Sequence, residues 1–513
     1  VEGSRRTSLV SARDPRARPG RPLGAILPGE RPRLRLWLAL LFLGSAGFGL
    51  WFLIQPSLGV GRYYRPGFAR SAYEYAQPLV FLFVPWALAL WAWRRGDHVS
   101  MWWLVGGAVV LHVLVLFAPL PQSQDFYQYL FYGKMQAVHG ANPYVVHPSV
   151  FRDDPWYIWI RWWDQPSVYG PAWTMLTFLI AKAFGGSLAA SFVALKLVIL
   201  ALDLGVMAMI VTAARGRPAD ENGGGWGILA YAWNPLVLIC VPLAGANDVA
   251  LAAGFLGAYL ARRRGRMWLT TLLLTLTALV KAYAAIGLIL HLVLLARERG
   301  GREAARHGAL AAAVAVVAYA PYWAGWATFR GLLNIAEMTN LSLAGMTARL
   351  IGSPLEALGI PASGPIELAL RVVGAALLIA AVVWAIRRTR DEGSLWYGVL
   401  FVVLAYLFVT PWFFYWYIVA PLALVAALPR NRLTTPVLVF SGSSLIVLHF
   451  HPVLLNWTVQ TALRYGLPLI PFVRSRGRGT SAVSNRAARG EGALRPIPLP
   501  STAAIPPHAT VAE

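Results

Sequence analysis

Trp226-Gly-Ile-Leu-Ala-Tyr-Ala-Trp-Asn-Pro-Leu-Val-Leu-Ile-Cys-Val-Pro-Leu-Ala-Gly245 is apolar along almost its whole length and is interrupted near its middle by Asn234-Pro235. A membrane crossing takes about 20 apolar residues, so the stretch is long enough to be one. Proline removes a backbone donor and breaks a helix. A broken helix is tolerated in a bilayer only where protein or a cavity surrounds it. Whether these residues cross or turn back decides which loops share a face.

The rest of the chain sets that question in a membrane. Of 513 residues, 58% are hydrophobic and 13% charged, with 22 Trp, and mean hydropathy is +0.56. Soluble proteins carry about 25% charged residues. Apolar runs near 36–55, 77–93, 101–120, 170–184, 188–213, 247–261, 267–280, 282–296, 308–326, 366–386, 394–410, 412–428, 433–450 and 454–472 predict an all-α polytopic membrane protein with about 13–14 transmembrane helices. Residues 35–472 form one membrane domain. The Arg- and Pro-rich stretches 1–34 and 473–513 are expected to be a disordered cytoplasmic arm and tail. A net charge of +23 would suggest nucleic acid in a soluble protein. Here the arginines cluster in the arm, the short loops and the tail, the pattern of segments held on the cytoplasmic side, so the partner is the bilayer and not nucleic acid. Cys240, the single cysteine, can form no disulfide within the chain and reads as a small buried hydrophobe.

Topology follows from those arginines. With the arm inside, Arg94-Arg95, Arg262 to Arg266, Arg297 to Arg306, Arg387 to Arg390 and Arg430 to Arg432 are all inside only if 226–245 enters and leaves on the outer side as a re-entrant hairpin. The alternative is one helix across 267–296, about 45 Å long, with a basic loop outside. The first reading puts two long loops outside, 121–169 and 327–365, and loops of that length in a compact bundle are usually functional or disordered. No Gly-Lys-Ser/Thr phosphate loop and no strand–Gly-rich–helix unit is present, so a nucleotide-sugar site is not indicated. A donor used on the outer face would be carried by lipid.

The first outer loop opens with Gln124-Asp-Phe-Tyr-Gln-Tyr-Leu-Phe-Tyr-Gly-Lys-Met-Gln-Ala-Val-His-Gly140. Ser123 is a suitable N-cap and Gly140 a suitable terminator. Helical spacing puts Asp125, Tyr129, Tyr132 and Gln136 on one face, as in an amphipathic helix at the membrane surface with its acid toward a cavity. The helix dipole favours the carboxylate of Asp125 in the first turn, and an ionised carboxylate is what a general base needs. The competing reading is that Asp125 only caps its helix. Asn142 and Tyr144 lie in the Gly140-Ala-Asn-Pro-Tyr144 turn, and Tyr169 and Trp173 in Ser167-Val-Tyr-Gly-Pro-Ala-Trp173, where interfacial anchoring is an equal alternative to ligand contact. Trp156 to Trp163 fit a belt or a sugar-stacking surface.

Asn247-Asp248, at the lip of a membrane segment, is a functional candidate because a carboxylate there needs a partner or water. Lys281 stands between two short apolar halves with no acid nearby in sequence. It could bind a lipid phosphate or merely snorkel. The second loop offers Arg330, Glu337 and Arg349 for phosphate or acceptor contacts, and Thr410-Pro-Trp412-Phe-Phe-Tyr-Trp-Tyr417 offers aromatics for a sugar or a polyprenyl groove. No set of His, Cys and carboxylates has metal spacing. No cofactor is indicated, and Asp153-Asp154 leaves a divalent cation open.

In order, Asp125-Phe-Tyr, Gly140-Ala-Asn-Pro-Tyr144, Tyr169-Gly-Pro-Ala-Trp173, Trp233-Asn-Pro-Leu236, Gly245-Ala-Asn-Asp248, Leu279-Val-Lys281 and Pro411-Trp-Phe-Phe-Tyr-Trp-Tyr417 resemble the GT-C class of integral-membrane glycosyltransferases. The likeness is to actinobacterial polyprenyl-phosphate-mannose-dependent α-(1→6)-mannosyltransferases, over about residues 36–472. It implies a GT-C-like bundle with amphipathic helices in the first large outer loop. It further implies Asp125 as catalytic base, and Asn247-Asp248 as a polar pair by the active site. Where relatives often carry His before that pair, this chain has Ala246. The implied reaction moves mannose from a polyprenyl-phosphate donor to a glycan or glycolipid hydroxyl, with inversion, at the outer face of the cytoplasmic membrane. Donor or acceptor contacts are expected from Tyr129, Asn142, Tyr144, Tyr169, Asn247, Asp248, Lys281, Arg349 and Trp412. An arabinofuranosyl or other pentosyl transferase of the same fold, or a flippase for lipid-linked sugar, is the alternative.

Overall fold

The computed structural model describes residues 33–54, 81–116, 125–215, 223–337, 342–449 and 457–474. The arm before residue 33, the tail after residue 474 and the expected cap Ser123 lie outside the described residues. The first helices are α1 (Leu34–Ile54), α2 (Phe83–Arg94), α3 (Met101–Leu116), α4 (Asp125–Ala137), α5 (Pro171–Phe184), α6 (Leu188–Ala213), α7 (Gly224–Tyr231), α8 (Pro235–Leu238), α9 (Asp248–Arg263) and α10 (Met267–Ala278). They are followed by α11 (Ala285–Arg299), α12 (Gly301–Tyr319), α13 (Arg330–Glu337), α14 (Leu343–Glu356), α15 (Ser363–Arg388), α16 (Glu392–Val409), α17 (Val419–Ala427), α18 (Thr434–His449) and α19 (Trp457–Thr461). There is no β-strand among the described residues. By length and composition α6, α15, α16 and Gly301–Tyr322 can each cross a membrane, and α7 with Pro235–Leu243 makes a fifth, bent by 55°. The chain is an all-α polytopic membrane protein.

Ion pairs and backbone contacts give the bundle two distinct ends. Lys281, just after α10, reaches Asp248 at the start of α9. Arg262, at the end of α9, reaches Glu298 at the end of α11, and Thr271 of α10 bonds His291 of α11 at 3.0 Å. So α9, α10 and α11 run antiparallel, and 267–296 is a broken pair rather than one long helix. At the end marked by Arg262, Arg263 donates to the Ala213 carbonyl at 3.1 Å, Arg297 to the Thr389 carbonyl, and Arg94 lies over Trp226, 5.6 Å from its ring centroid. This is the basic end. Asp125, Gly245, Asp248 and Lys281 gather at the other.

That frame corrects the re-entrant reading of 226–245. Trp226 is at the basic end, while a Cβ on Gly245 would stand 2.3 Å from the Phe126 ring beside Asp125. The stretch therefore runs from one end to the other as a broken crossing. The compensating error is α5. Gly170, just before it, docks on the backbone of Val280 at 2.9 Å, and Phe184, its last residue, accepts from Ser191 at 3.0 Å. Phe192, next to Ser191, packs 5.0 Å from Phe126. Both ends of α5 thus belong to the cavity end. With 14 residues it spans about 21 Å, short of a bilayer's apolar core of about 30 Å. One crossing is exchanged for another, so the arginine loops still share a face.

At the break at Asn234-Pro235 side chains take up backbone groups that a continuous helix would have paired. The Leu236 N–H turns to the Asn234 side chain at 2.9 Å, which frees the Ala232 carbonyl it would have met in a continuous helix. His112 fills that gap, its Nε2 2.8 Å from the carbonyl oxygen. A carbonyl can only accept, so Nε2 carries a proton. The other ring nitrogen is 2.5 Å from Asp203, which also accepts from the Tyr231 hydroxyl at 3.0 Å. Farther along, Lys196 donates to the Pro242 and Leu243 carbonyls at 2.7 and 2.6 Å. His112, Lys196 and Asp203 are all fully buried. They supply inside the bundle the hydrogen bonds that lipid cannot.

Candidate active site

Helix α4 carries Asp125 as its first residue, and everything from Phe126 to Met135 is buried. It is an interior helix rather than the surface-lying one expected from its spacing. Gly133 lets the backbone of α5 press against it: a Cβ there would sit 2.3 Å from the Thr177 carbonyl oxygen. The first loop covers its other side. Tyr127 stacks on Trp159 at 5.4 Å, and Lys134 meets Asp154 at 2.9 Å and the Trp156 ring at 4.2 Å. His139 adds a second contact to Asp154 at 2.8 Å. Burial pushes the Asp154 carboxyl up, but hydrogen bonds from Lys134, the Trp156 N–H and His139 outweigh it and hold the group below the usual carboxylate range. One of the two acids considered for a divalent ion is therefore committed to the loop.

An open cavity lies at the start of α4, with about 890 Å³ of empty space including its mouth. Asp125 lines it, as do Trp162 and Tyr169 from the first loop, Lys281 and Tyr283, and Trp412, Phe414, Trp416 and Tyr417. One carboxylate oxygen of Asp125 accepts from the Trp162 indole N–H at 3.0 Å. Withdrawal from water raises the Asp125 pKa above the ordinary aspartate value; the Trp162 hydrogen bond and the charge of Lys281 oppose this, and the charge of Asp248 adds to it. The balance is opposite to the helix-dipole expectation, because desolvation is the largest effect on the group.

Lys281 is not a lone cation. Its ammonium lies 2.6 Å from Asp248 and 4.4 Å from the centre of the Tyr417 ring. The Tyr283 hydroxyl also donates to Asp248, at 3.3 Å, and the Tyr283 ring stacks on Tyr406 at 4.6 Å. The partner is 33 residues away in sequence and meets Lys281 only because α9 and α10 are antiparallel. The opposite wall is aromatic. Trp162 meets Trp412 edge-on at 5.3 Å, and Phe414 stacks on Trp416 at 4.2 Å.

Glycine makes two of these approaches feasible. A Cβ on Gly170 would be 2.0 Å from the Leu279 carbonyl oxygen, so only glycine allows the 169–172 turn to hydrogen-bond the 279–280 break. Gly245 combines a φ of +71° with its close approach to Phe126, which places Asn247-Asp248 beside α4.

The expected site residues divide into three groups. Asp125, Tyr169, Lys281 and Trp412 line the cavity. Tyr129, Asn247 and Asp248 are buried just behind it: Tyr129 packs on Tyr169 at 4.7 Å, and neither side-chain polar atom of Asn247 has a partner among the described residues. Asn142, Tyr144 and Arg349 are elsewhere. Asn142 donates to the Tyr322 carbonyl at 2.8 Å, the Tyr144 hydroxyl to the Tyr169 carbonyl at 2.7 Å, and Arg349 is exposed on α14. The first two brace the loop. Gln128, Gln165 and Tyr283 line the cavity without being expected there from the sequence, and of the 156–163 tryptophans Trp162 lines it. Tyr283, two residues after Lys281, was the one within reach of sequence spacing.

A carboxylate, an ammonium held by a second carboxylate, and an aromatic wall can accept a proton, meet an anion and stack on a sugar ring. No curated protein matches the chain. The profile of the alpha-(1→6)-mannopyranosyltransferase N-terminal domain matches residues 38–297, which carry Asp125, Trp162, Asp248 and Lys281. That match covers just over half of the 513 residues, and the chain belongs to this mannosyltransferase family.

Proposed function

We propose that the protein transfers mannose from a polyprenyl-phosphate donor to a hydroxyl of a glycan or glycolipid, at the outer face of the cytoplasmic membrane, with inversion at the anomeric carbon. The observation that carries this reading is that Asp125 and Lys281 line one cavity at the end of the bundle opposite its arginine loops. Asp125 takes the proton of the acceptor hydroxyl as its oxygen attacks C1 of the sugar. The C1–O bond to phosphate breaks, its electron pair stays on the phosphate oxygen, and Lys281 meets the charge that develops there. A β-linked mannosyl phosphate thereby becomes an α-mannoside, and polyprenyl phosphate leaves. Trp412 and its aromatic neighbours supply a face for the sugar ring. Asp248 holds Lys281 in place until the phosphate arrives.

The test is to incubate membranes containing the protein with a mannan acceptor and radiolabelled polyprenyl-phosphate mannose, polyprenyl-phosphate arabinofuranose or a nucleotide-linked mannose. Label enters the glycan from the first donor alone. Incorporation only from the pentosyl donor, only from the nucleotide sugar, or label moved across the membrane without entering glycan would each overturn the reading.

A further inference from the structure

Asp125 presents two carboxylate oxygens, and the first loop occupies one of them. The Trp162 indole N–H donates to Oδ1 at 3.0 Å, and no other hydrogen bond to the Asp125 side chain occurs among the described residues. Trp162 is itself held on several sides. Its backbone N–H donates to the Gln128 side chain at 3.1 Å, and Gln128 is one turn along α4 from Asp125. Its indole stands edge-on to Trp412, and the Arg161 guanidinium lies 5.5 Å from its ring centroid. A tryptophan that served only to stack on sugar would have no need to aim its single donor at a carboxylate. One that served only as an interfacial anchor would not be bracketed by the helix bearing that carboxylate.

We propose that Trp162 is a positioning residue: by holding Oδ1 of Asp125 it fixes the carboxylate rotamer so that Oδ2 faces the cavity as the proton acceptor. The proposal rests on the reading of Asp125 as base. An indole N–H is a donor only and does not titrate in the working range, so it orients the carboxylate without ever competing for the acceptor's proton. The groups that set the charge state of Asp125 are Trp162 and Arg161 from the loop, Lys281 from the α10–α11 connection and Asp248 from α9. The Trp162 bond favours the ionised form.

Trp162→Phe keeps an aromatic ring against Trp412 and removes the donor. A misplaced catalytic group costs about 10²-fold in rate, so kcat should fall about 10–100-fold while the donor KM changes little. The acidic limb of kcat/KM should move to higher pH, because the ionised carboxylate has lost a hydrogen bond. A role confined to packing would lower the amount of folded enzyme and leave that limb where it is. Gln128→Met, which releases the Trp162 backbone, should move the limb the same way and carries the test if Trp162→Phe does not accumulate in membranes. A limb unmoved in whichever variant folds, or kcat at the wild-type value, overturns the proposal. Asp125→Asn measured alongside separates the two claims: if it is inactive while Trp162→Phe behaves as wild type, only the positioning role fails. If Asp125→Asn remains active, the base reading fails first.

Discussion

The carboxyl of Asp125 is pulled two ways. Withdrawal from water favours its neutral form, while Trp162 and Lys281 favour the ionised one, and the first effect is larger. A base must be deprotonated to act, so the sign is fixed: kcat/KM should rise with pH through a limb that lies above the ordinary aspartate value of about 3.9. A pH–rate profile on membranes checks this, and a limb at or below that value would contradict it. Lys281 is coupled to Asp248 rather than free, so removing it does two things. Lys281→Ala should weaken donor use, and it leaves a buried carboxylate unpaired, at a cost of about 3–5 kcal/mol. Adding Asp248→Asn removes that buried charge, so the double variant should recover thermal stability in detergent without recovering donor use. Recovery of both would assign the pair to stability alone. Asp125 was legible in the sequence because it is the first acid of an aromatic loop after an apolar run. Its partner Trp162 was one of several tryptophans in 156–163, and nothing in their spacing says which indole points at a carboxylate.

At the level of helices, the candidate cavity depends on two helix breaks that lie far apart in sequence. The first, at Asn234-Pro235, could be read from the proline. What satisfies it could not, since His112, Lys196 and Asp203, together with Ser441, which accepts from the Asn234 side chain at 3.0 Å, come from three other helices. Lys196 bears on the end of that broken segment, just before Gly245 and Asp248. Lys196→Met should therefore lower stability by about 1–3 kcal/mol, because two buried carbonyls lose their donor. Thermal denaturation in detergent reads this, and a stable variant would mean the carbonyls find other partners. The second break, at 279–281, is clamped by the backbone of the turn before α5. At Gly170 any side chain meets the Leu279 carbonyl, and this obstacle is backbone that cannot rotate away. Gly170→Ala should depress activity at least as strongly as it depresses expression, since it displaces Lys281 directly. Normal activity in that variant would show that the clamp is dispensable. The α5 segment illustrates why sequence alone misassigned a crossing. Its composition is as apolar as a span, and only its length and its two docked ends distinguish it.

Across the whole molecule, the arginine-rich loops described above collect at one end of the bundle and the cavity opens at the other. This polarity survives the exchange of α5 for the 224–243 segment, because the parity of crossings is preserved. It predicts sidedness. Cys240 is fully buried, so the native chain should give little background with a membrane-impermeant thiol reagent. A cysteine in place of Trp326, which is 86% exposed near the cavity end, should label in intact cells. A cysteine in place of Arg264, at the basic end, should label only after the membrane is opened. The reverse pattern would invert the molecule and put the cavity in the cytoplasm. The proposed chemistry is narrower than sidedness: one carboxylate, that of Asp125, would remove the acceptor proton. It is tested most directly by comparing wild type and Asp125→Asn for mannosyl transfer from labelled polyprenyl-phosphate mannose, at matched amounts of folded protein in membranes. The variant should still bind donor and lose transfer by about 10²–10⁴-fold, the usual contribution of a general base. Transfer within a few-fold of wild type would contradict it.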